Sequence, residues 1–186
     1  MDGIVREAGT TTTVVEQAAA GDTIAFARIV AAYHSDMIRV AYVVSGGRQD
    51  VAEDAVQAAW SIAWRKMASL RDPTRIRSWL VSVAANEARQ LVRHERRATV
   101  VALDVAVPGC EVADPAEPDP AERAATLDLE WALRHLSPDE RALLALRYEA
   151  GLDSSEIGRV TGRPAATVRW RLARLVKRLR TELSDA

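Results

Sequence analysis

Residues 158–180 read GRVTGRPAATVRWRLARLVKRLR, and they hold eight basic side chains (Arg159, Arg163, Arg169, Arg171, Arg174, Lys177, Arg178 and Arg180) with no acid among them. Val168, Leu172, Leu175, Val176 and Leu179 recur at i, i+4, i+7, i+8 and i+11, the apolar stripe of a helix packed on one side. In a chain whose formal charge is only −1, that segregation marks this end of the protein for a polyanionic partner. Just upstream, Asp153 and Glu156 have the spacing of a capping box and predict a short helix through Thr161. Gly162-Arg163-Pro164 then breaks it, and Pro164 suits the first turn of the helix that follows. A short helix, a break and a basic helix together predict a helix-turn-helix. Further upstream, Ser137, Pro138 and Glu140 supply an N-cap, an N1 proline and an N3 glutamate for a helix over 141–150, with Gly151 as its stop.

With Val168 at the centre of the buried stripe, Trp170 falls nearly opposite, among Ala166, Thr167, Arg174 and Lys177. This arrangement predicts that Arg163, Thr167, Arg169, Trp170 and Arg171 enter a major groove while Arg174, Lys177 and Arg178 hold phosphates. A solvated basic face, with Trp170 against a neighbouring domain, is the competing reading.

The chain of 186 residues can fold as one domain or two small ones, and its composition favours two. Between Thr99 and Thr126 lie four prolines and six acids against the single base Arg123, the composition of a flexible acidic and proline-rich linker. It separates an N-terminal helical unit over 14–98 from a C-terminal unit over 127–186, and residues 1–13 are expected to form a loose tail. Strand signals are almost absent, so the predicted fold is all-α. The lone Cys110 excludes an internal disulfide. With no apolar run long enough to span a bilayer and no signal-peptide layout at the start, the expected location is the cytoplasm.

In the N-terminal unit a helix is predicted from Thr23 to Val44, a second from Asp50 (with Glu53 as a possible capping-box partner) to Ala68, and a third from Thr74 to Arg97. Ala52, Ala55, Ala59, Ile62 and Ala63 form the small-residue packing face of the second. Glu53, Gln57, Trp60 and Trp64 line its opposite side, with Asp54 at the edge. Two tryptophans beside polar residues read as a protein-binding surface; coverage of both by other helices is the alternative. In the third helix Leu80, Ala84, Ala88 and Leu91 face inward, while Ser82, Asn86, Arg89, Arg93 and Arg96 share the outer face with Trp79 at its border. From Arg65 to Arg97 there are nine basic residues against three acids. A basic surface carrying Trp and Asn suits single-stranded nucleic acid, whose bases stack on aromatic rings while arginines follow the backbone; Trp79 as a core anchor among solvated arginines is the alternative.

The stretches AEDAVQAAWSIAWRKM (52–67), IRSWLVSVAANEARQLVRHERR (76–97) and LRHLSPDERALLALRYEAGLDSSEIGRVTGRPAATVRWRLARLVKRL (133–179) resemble, in order, the extracytoplasmic-function (ECF) class of bacterial sigma factors. The resemblance implies a two-domain promoter-specificity subunit that binds core RNA polymerase at the beta-prime clamp helices and the beta flap, binds promoter DNA, and pairs with an anti-sigma factor. It places Glu53, Asp54, Gln57, Trp60 and Trp64 on the polymerase, with Trp60 where the family usually has Phe. It places Arg71, Arg75, Arg77, Ser78, Trp79, Asn86, Arg89 and Arg93 at the −10 element, where a base flipped from the non-template strand is held. Arg163 through Arg178 resemble the helix that reads the −35 duplex. Three departures stand out: Ala166 replaces a frequent Gly, Trp170 a frequent small Ser, and Ile76 a frequent Phe. An indole there would favour a thymine methyl over the hydrogen bonds of a hydroxyl.

A stand-alone helix-turn-helix regulator binding an operator as a dimer would account for the C-terminal unit, but it leaves the Glu53/Gln57/Trp60/Trp64 stripe and the second basic surface unassigned. A helical adaptor binding only proteins is opposed by the eight unopposed bases of 159–180. The sequence has no glycine-rich phosphate loop with a lysine, no nucleophile elbow and no HExxH pair, and His34, His94 and His135 stand far apart. The expectation is a protein without enzymatic activity, metal or cofactor.

Overall fold

The computed structural model describes residues 8–101 and 135–184, and the stretch expected as a linker lies largely outside them. Among the described residues there are seven α-helices and no strand: α1 (Ala8–Ala19), α2 (Thr23–Ser45), α3 (Gln49–Lys66), α4 (Ile76–Val101), α5 (Pro138–Leu144), α6 (Ser154–Thr161) and α7 (Ala165–Ser184). Short 3-10 turns at Met67–Ser69 and Pro73–Arg75 join α3 to α4, and a π-turn, Ala145–Glu149, extends α5.

Local chemistry explains most of the boundaries. The Asp22 carboxylate accepts from Ile24 N at 2.8 Å and Ala25 N at 3.1 Å, capping α2. At its far end Gly46 takes the left-handed conformation (φ 81°) that a side chain resists. Ser45 Oγ donates to the Tyr42 carbonyl at 2.8 Å and accepts from Arg48 N at 3.1 Å, folding the chain into α3. Full capping boxes form at Ser137/Glu140 and Asp153/Glu156. The Asp50/Glu53 pair does not cap: α3 starts one residue earlier, at Gln49, leaving Asp50 in the first turn and Glu53 bonded to Gln49 Nε2. The third predicted helix, by contrast, starts later than expected, because Asp72 caps a 3-10 turn at Thr74 before α4 begins.

The expectation of a loose tail through Thr13 is corrected for residues 8–13, which belong to α1. Val15 and Ala18 are buried and anchor α1 against α2 and the turns before α4, and that burial overrides the poor helix propensity of the threonine run. The centre of the molecule is α2, α3 and α4, each packed on the other two. Ala52, Ala55, Ala59 and Ala63 of α3 let its backbone approach Met37, Val40 and Val44 of α2 and Leu80, Ala84 and Ala88 of α4. Fully burying a side chain such as Leu80 or Val44 contributes about 1.5–3 kcal/mol. The hydrophobic cluster runs on without a break into Leu136, Leu143, Leu146, Ile157 and Val168. In this structure the C-terminal unit therefore lies against α2 and α4.

Candidate nucleic-acid and polymerase interfaces

Glu53, Asp54 and Gln57 are exposed on α3, as the pattern predicts. Trp60 is half-covered by α2: its Nε1 donates to His34 Nδ1 at 3.2 Å, and its ring meets Phe26 edge-to-face at 5.7 Å. Trp64 meets the same Phe26 at 4.9 Å and stays 40% exposed. Ile24, 68% exposed, lies two residues from Phe26 on α2. The outcome falls between the two readings: α2 orients the tryptophans without hiding them. An aromatic cluster that leaves an indole in water is the composition of an interface anchor. Phe26 was not singled out in the sequence and His34 was read there only as one of three scattered histidines; one aromatic and one histidine on a distant helix carry no local signal of this meeting.

Where α3 ends and α4 begins, Leu70, Arg71, Arg75, Ser78, Trp79, Ser82, Val83 and Asn86 line a cavity of about 640 Å³. Trp79 packs its ring against the core, as in the alternative reading, and still forms a wall of the cavity. Asn86 Oδ1 accepts from Arg89 Nη2 at 2.6 Å, and its amide donates to Glu87 Oε1 at 3.2 Å, so the side chain is oriented from both ends. Ser78 is buried, with its hydroxyl donated to the Arg75 carbonyl at 3.0 Å. Arg77 is not at the cavity: Nε donates to Asp36 at 2.7 Å and Nη1 to the Ala150 carbonyl at 2.5 Å. Arg89 and Arg93 follow on the same helix, a turn or two beyond Asn86.

In the C-terminal unit α6 and α7 form the predicted helix-turn-helix. Gly162 closes α6 at φ 67°, and its N–H reaches the Gly158 carbonyl. Gly158 is the member of this turn that sequence reasoning missed. A Cβ there would lie 2.5 Å from the Arg163 carbonyl oxygen and 3.3 Å from Ala165 N, so only glycine lets the two helices cross this closely. Val168, Leu172 and Leu175 are buried, while Arg169, Trp170, Arg171, Arg174, Lys177 and Arg178 are exposed. Arg163 and Thr167 are half-buried. Trp170 is 60% exposed, with the Arg174 guanidinium 5.5 Å from its ring, a cation–π stack one turn along the helix. Arg178 pairs with Glu140 at 2.9 Å. Burial raises the Glu140 pKa, but bonds from Ser137 N–H and O–H and the charge of Arg178 outweigh it and hold it below its ordinary value. Asp153 is likewise lowered, first by the backbone N–H of Glu156 and then by that of Ser155.

Among the described residues no group of His, Cys, Asp and Glu could hold a metal ion, and no helix is long and apolar enough to cross a membrane.

A helical unit with a tryptophan-bearing face and a cavity lined by Trp79, Asn86 and arginines is thus followed by a helix-turn-helix. The family models agree: Sigma-70 region 2 matches residues 29–98 and Sigma-70 region 4 matches residues 127–179. The RNA polymerase sigma factor CarQ of Myxococcus xanthus is 34% identical over 137 residues, 73% of this chain and 76% of CarQ. The protein named Probable RNA polymerase sigma factor RfaY in Xanthomonas campestris pv. campestris is also 34% identical, over 89% of this chain; the match spans 42% of that relative's length. CnrH, solved in complex with the cytosolic domain of CnrY, superposes with a TM-score of 0.69 over 96% of this chain and 99% of CnrH at 23% identity, a likeness of fold. The chain belongs to the sigma-70 family of RNA polymerase sigma factors, within its ECF class.

Proposed function

We propose that this sigma factor docks on core RNA polymerase through the Asp54/Gln57/Trp60/Trp64 face of α3, captures an unpaired base of the −10 element in the Trp79/Asn86 cavity, and reads −35 duplex with the exposed side of α7. The observation that carries this reading is the cavity at the α3–α4 junction. It combines an aromatic wall, an amide fixed by Arg89 and Glu87, and Arg71 and Arg75 beside it. Extruding a base costs a few kcal/mol, and stacking on an indole returns about 1–3 kcal/mol while arginines hold the strand.

Arg71, Arg75, Arg89 and Arg93 are the bases best placed along such a strand. Arg77 serves the fold through Asp36 and Ala150, and Ser78 shapes the cavity wall. On α7 the stacked Trp170–Arg174 pair offers an apolar edge and a cation side by side, suited to a thymine methyl and an adjacent guanine or phosphate. The protein works in the cytoplasm, without catalytic chemistry of its own, and with an anti-sigma factor as a further partner.

The test is size-exclusion co-elution of the purified chain with bacterial core RNA polymerase in the absence of DNA. Stoichiometric co-elution, weakened by Trp60→Ala, is the expected result. A free dimer that ignores active core and binds duplex DNA by itself would overturn the reading in favour of a stand-alone regulator.

A further inference from the structure

Trp60 stands on α3, but its ring is held from α2 at two points. Phe26 meets the indole edge-to-face at 5.7 Å with the ring planes 87° apart, and His34 Nδ1 accepts the indole N–H at 3.2 Å. Phe26 and His34 are about two turns apart on α2, about 12 Å along its axis, so a rotation of the indole breaks at least one of the two contacts. The helices that carry them are fixed to each other: Ile29, Tyr33 and Met37 of α2 and Val56, Ala59 and Ala63 of α3 are all buried in the core. His34 itself is exposed and stands outside that core, so its imidazole is not needed to build α2. What it does is take the hydrogen of a tryptophan whose ring is half in water.

We propose that His34 is a positioning residue of the polymerase-docking face: it holds Trp60 in the rotamer that docks and satisfies the indole N–H within the chain, so that the partner has to offer only an apolar pocket. The inference rests on the docking assignment above and adds to it a residue from a second helix. An indole carried into an interface with its N–H unmatched gives up the hydrogen bond it made to water. His34 supplies the acceptor before any partner arrives, and the partner surface at Trp60 is thereby defined chemically as aliphatic side chains around a ring, with no acceptor aimed at the indole nitrogen. Holding the ring in advance also raises affinity, because less side-chain freedom is lost on docking.

The experiment uses the full chain carrying fluorescein on its single cysteine, Cys110, titrated with bacterial core RNA polymerase in the absence of DNA and followed by anisotropy. His34→Ala should weaken binding about three- to tenfold, the scale of one hydrogen bond and one side chain left to be ordered. Alanine favours a helix more than histidine does, so a weakened α2 would not account for that loss. His34→Asn, whose Oδ1 replaces Nδ1 as acceptor at a similar helix propensity, should restore most of the affinity. In the Trp60→Phe background, which keeps an aromatic ring and removes the N–H, His34→Ala should change nothing. In heteronuclear NMR spectra the Trp60 indole N–H signal, identified by its loss in Trp60→Phe, should shift and exchange faster with water in His34→Ala, and return toward its wild-type position in His34→Asn. A Trp60 signal that His34→Ala leaves unmoved overturns the inference, as does an equal loss of affinity in the wild-type and Trp60→Phe backgrounds, which would make His34 a direct contact. Trp60→Ala separates this inference from the docking assignment. If that variant binds core polymerase as tightly as wild type, the docking assignment falls; if it binds weakly while His34→Ala binds as wild type, docking stands and the positioning role falls.

Discussion

Gly158→Ala is the substitution whose consequence can be worked most directly from the structure. The added methyl would sit 2.5 Å from the Arg163 carbonyl oxygen, 3.3 Å from Ala165 N and 3.5 Å from Ala165 Cα, all backbone atoms that no rotamer change can clear. The helix-turn-helix must open, and overpacking of this kind costs about 1–3 kcal/mol. Alanine returns up to about 1 kcal/mol in helix propensity. The expected net loss is about 1–2 kcal/mol, with the hydrogen bond from Arg163 N to the Gly158 carbonyl, now 2.8 Å, lengthened as α7 swings away. Urea unfolding of the full chain should show a lower midpoint at an unchanged slope, and affinity for a −35 duplex should fall because the reading helix has turned. Gly162→Ala is the informative companion. Its φ of 67° strains any side chain, yet nothing lies within 4 Å of the new methyl, so it should lose stability with a smaller effect on DNA binding. A Gly158→Ala protein as stable as wild type, with unchanged DNA affinity, would refute the close-crossing argument.

Other outcomes follow from the same geometry. Trp60→Ala should weaken binding to core polymerase by about 2 kcal/mol or more, as for a central aromatic anchor, and Asp54→Ala should weaken it less; both are read by competition binding, with circular dichroism to show the fold retained. In −35 duplex, replacing thymine by deoxyuridine one position at a time should lower affinity at one position for wild type and at none for Trp170→Ser, because only the methyl has been removed. For Glu140 and Asp153 the folded pKa lies below the unfolded one, so each adds stability that is present above the ordinary values of 4.5 and 3.8 and is lost as the pH falls through and below them. Urea midpoints taken at about pH 7 and about pH 2.5 should therefore diverge, and Asp153→Asn should narrow the gap.

What the sequence made legible was local. Ser137 with Glu140, and Asp153 with Glu156, cap as their spacing predicts because donor and acceptor lie within one turn. Asp50 with Glu53 has the same spacing and fails, since the Ser45 hydroxyl fixes Arg48 N and starts the helix before Asp50 arrives. Helix faces were equally readable: Ala52, Ala55, Ala59 and Ala63 are buried and Glu53 and Gln57 are not. Long-range partners were not. Phe26 reaches Trp60 and Trp64 from another helix, and Asp139 reaches Arg89 across a separation of 50 residues. No periodicity records such a meeting. The same reason explains Arg77, which reads as a strand contact by its place beside Trp79 but is claimed by Asp36 and the Ala150 carbonyl.

The placement of two adjacent acids resolves how a nearly neutral chain can carry two basic surfaces in one packed body. Successive residues on a helix point about 100° apart, so Asp139 faces α4 and its arginines while Glu140 faces α7 and Arg178. Both sit in the first turn of α5, where the helix dipole already favours negative charge. One turn of helix therefore neutralises part of the basic surface of α4 and part of that of α7 at once, and it lowers the mutual repulsion between them. On the DNA-binding assignment proposed above, a phosphate arriving at Arg93 or Arg178 must displace a carboxylate as well as solvent counterions. On that assignment, two bases that look redundant in the sequence are the ones through which folding and DNA binding exchange the same charge.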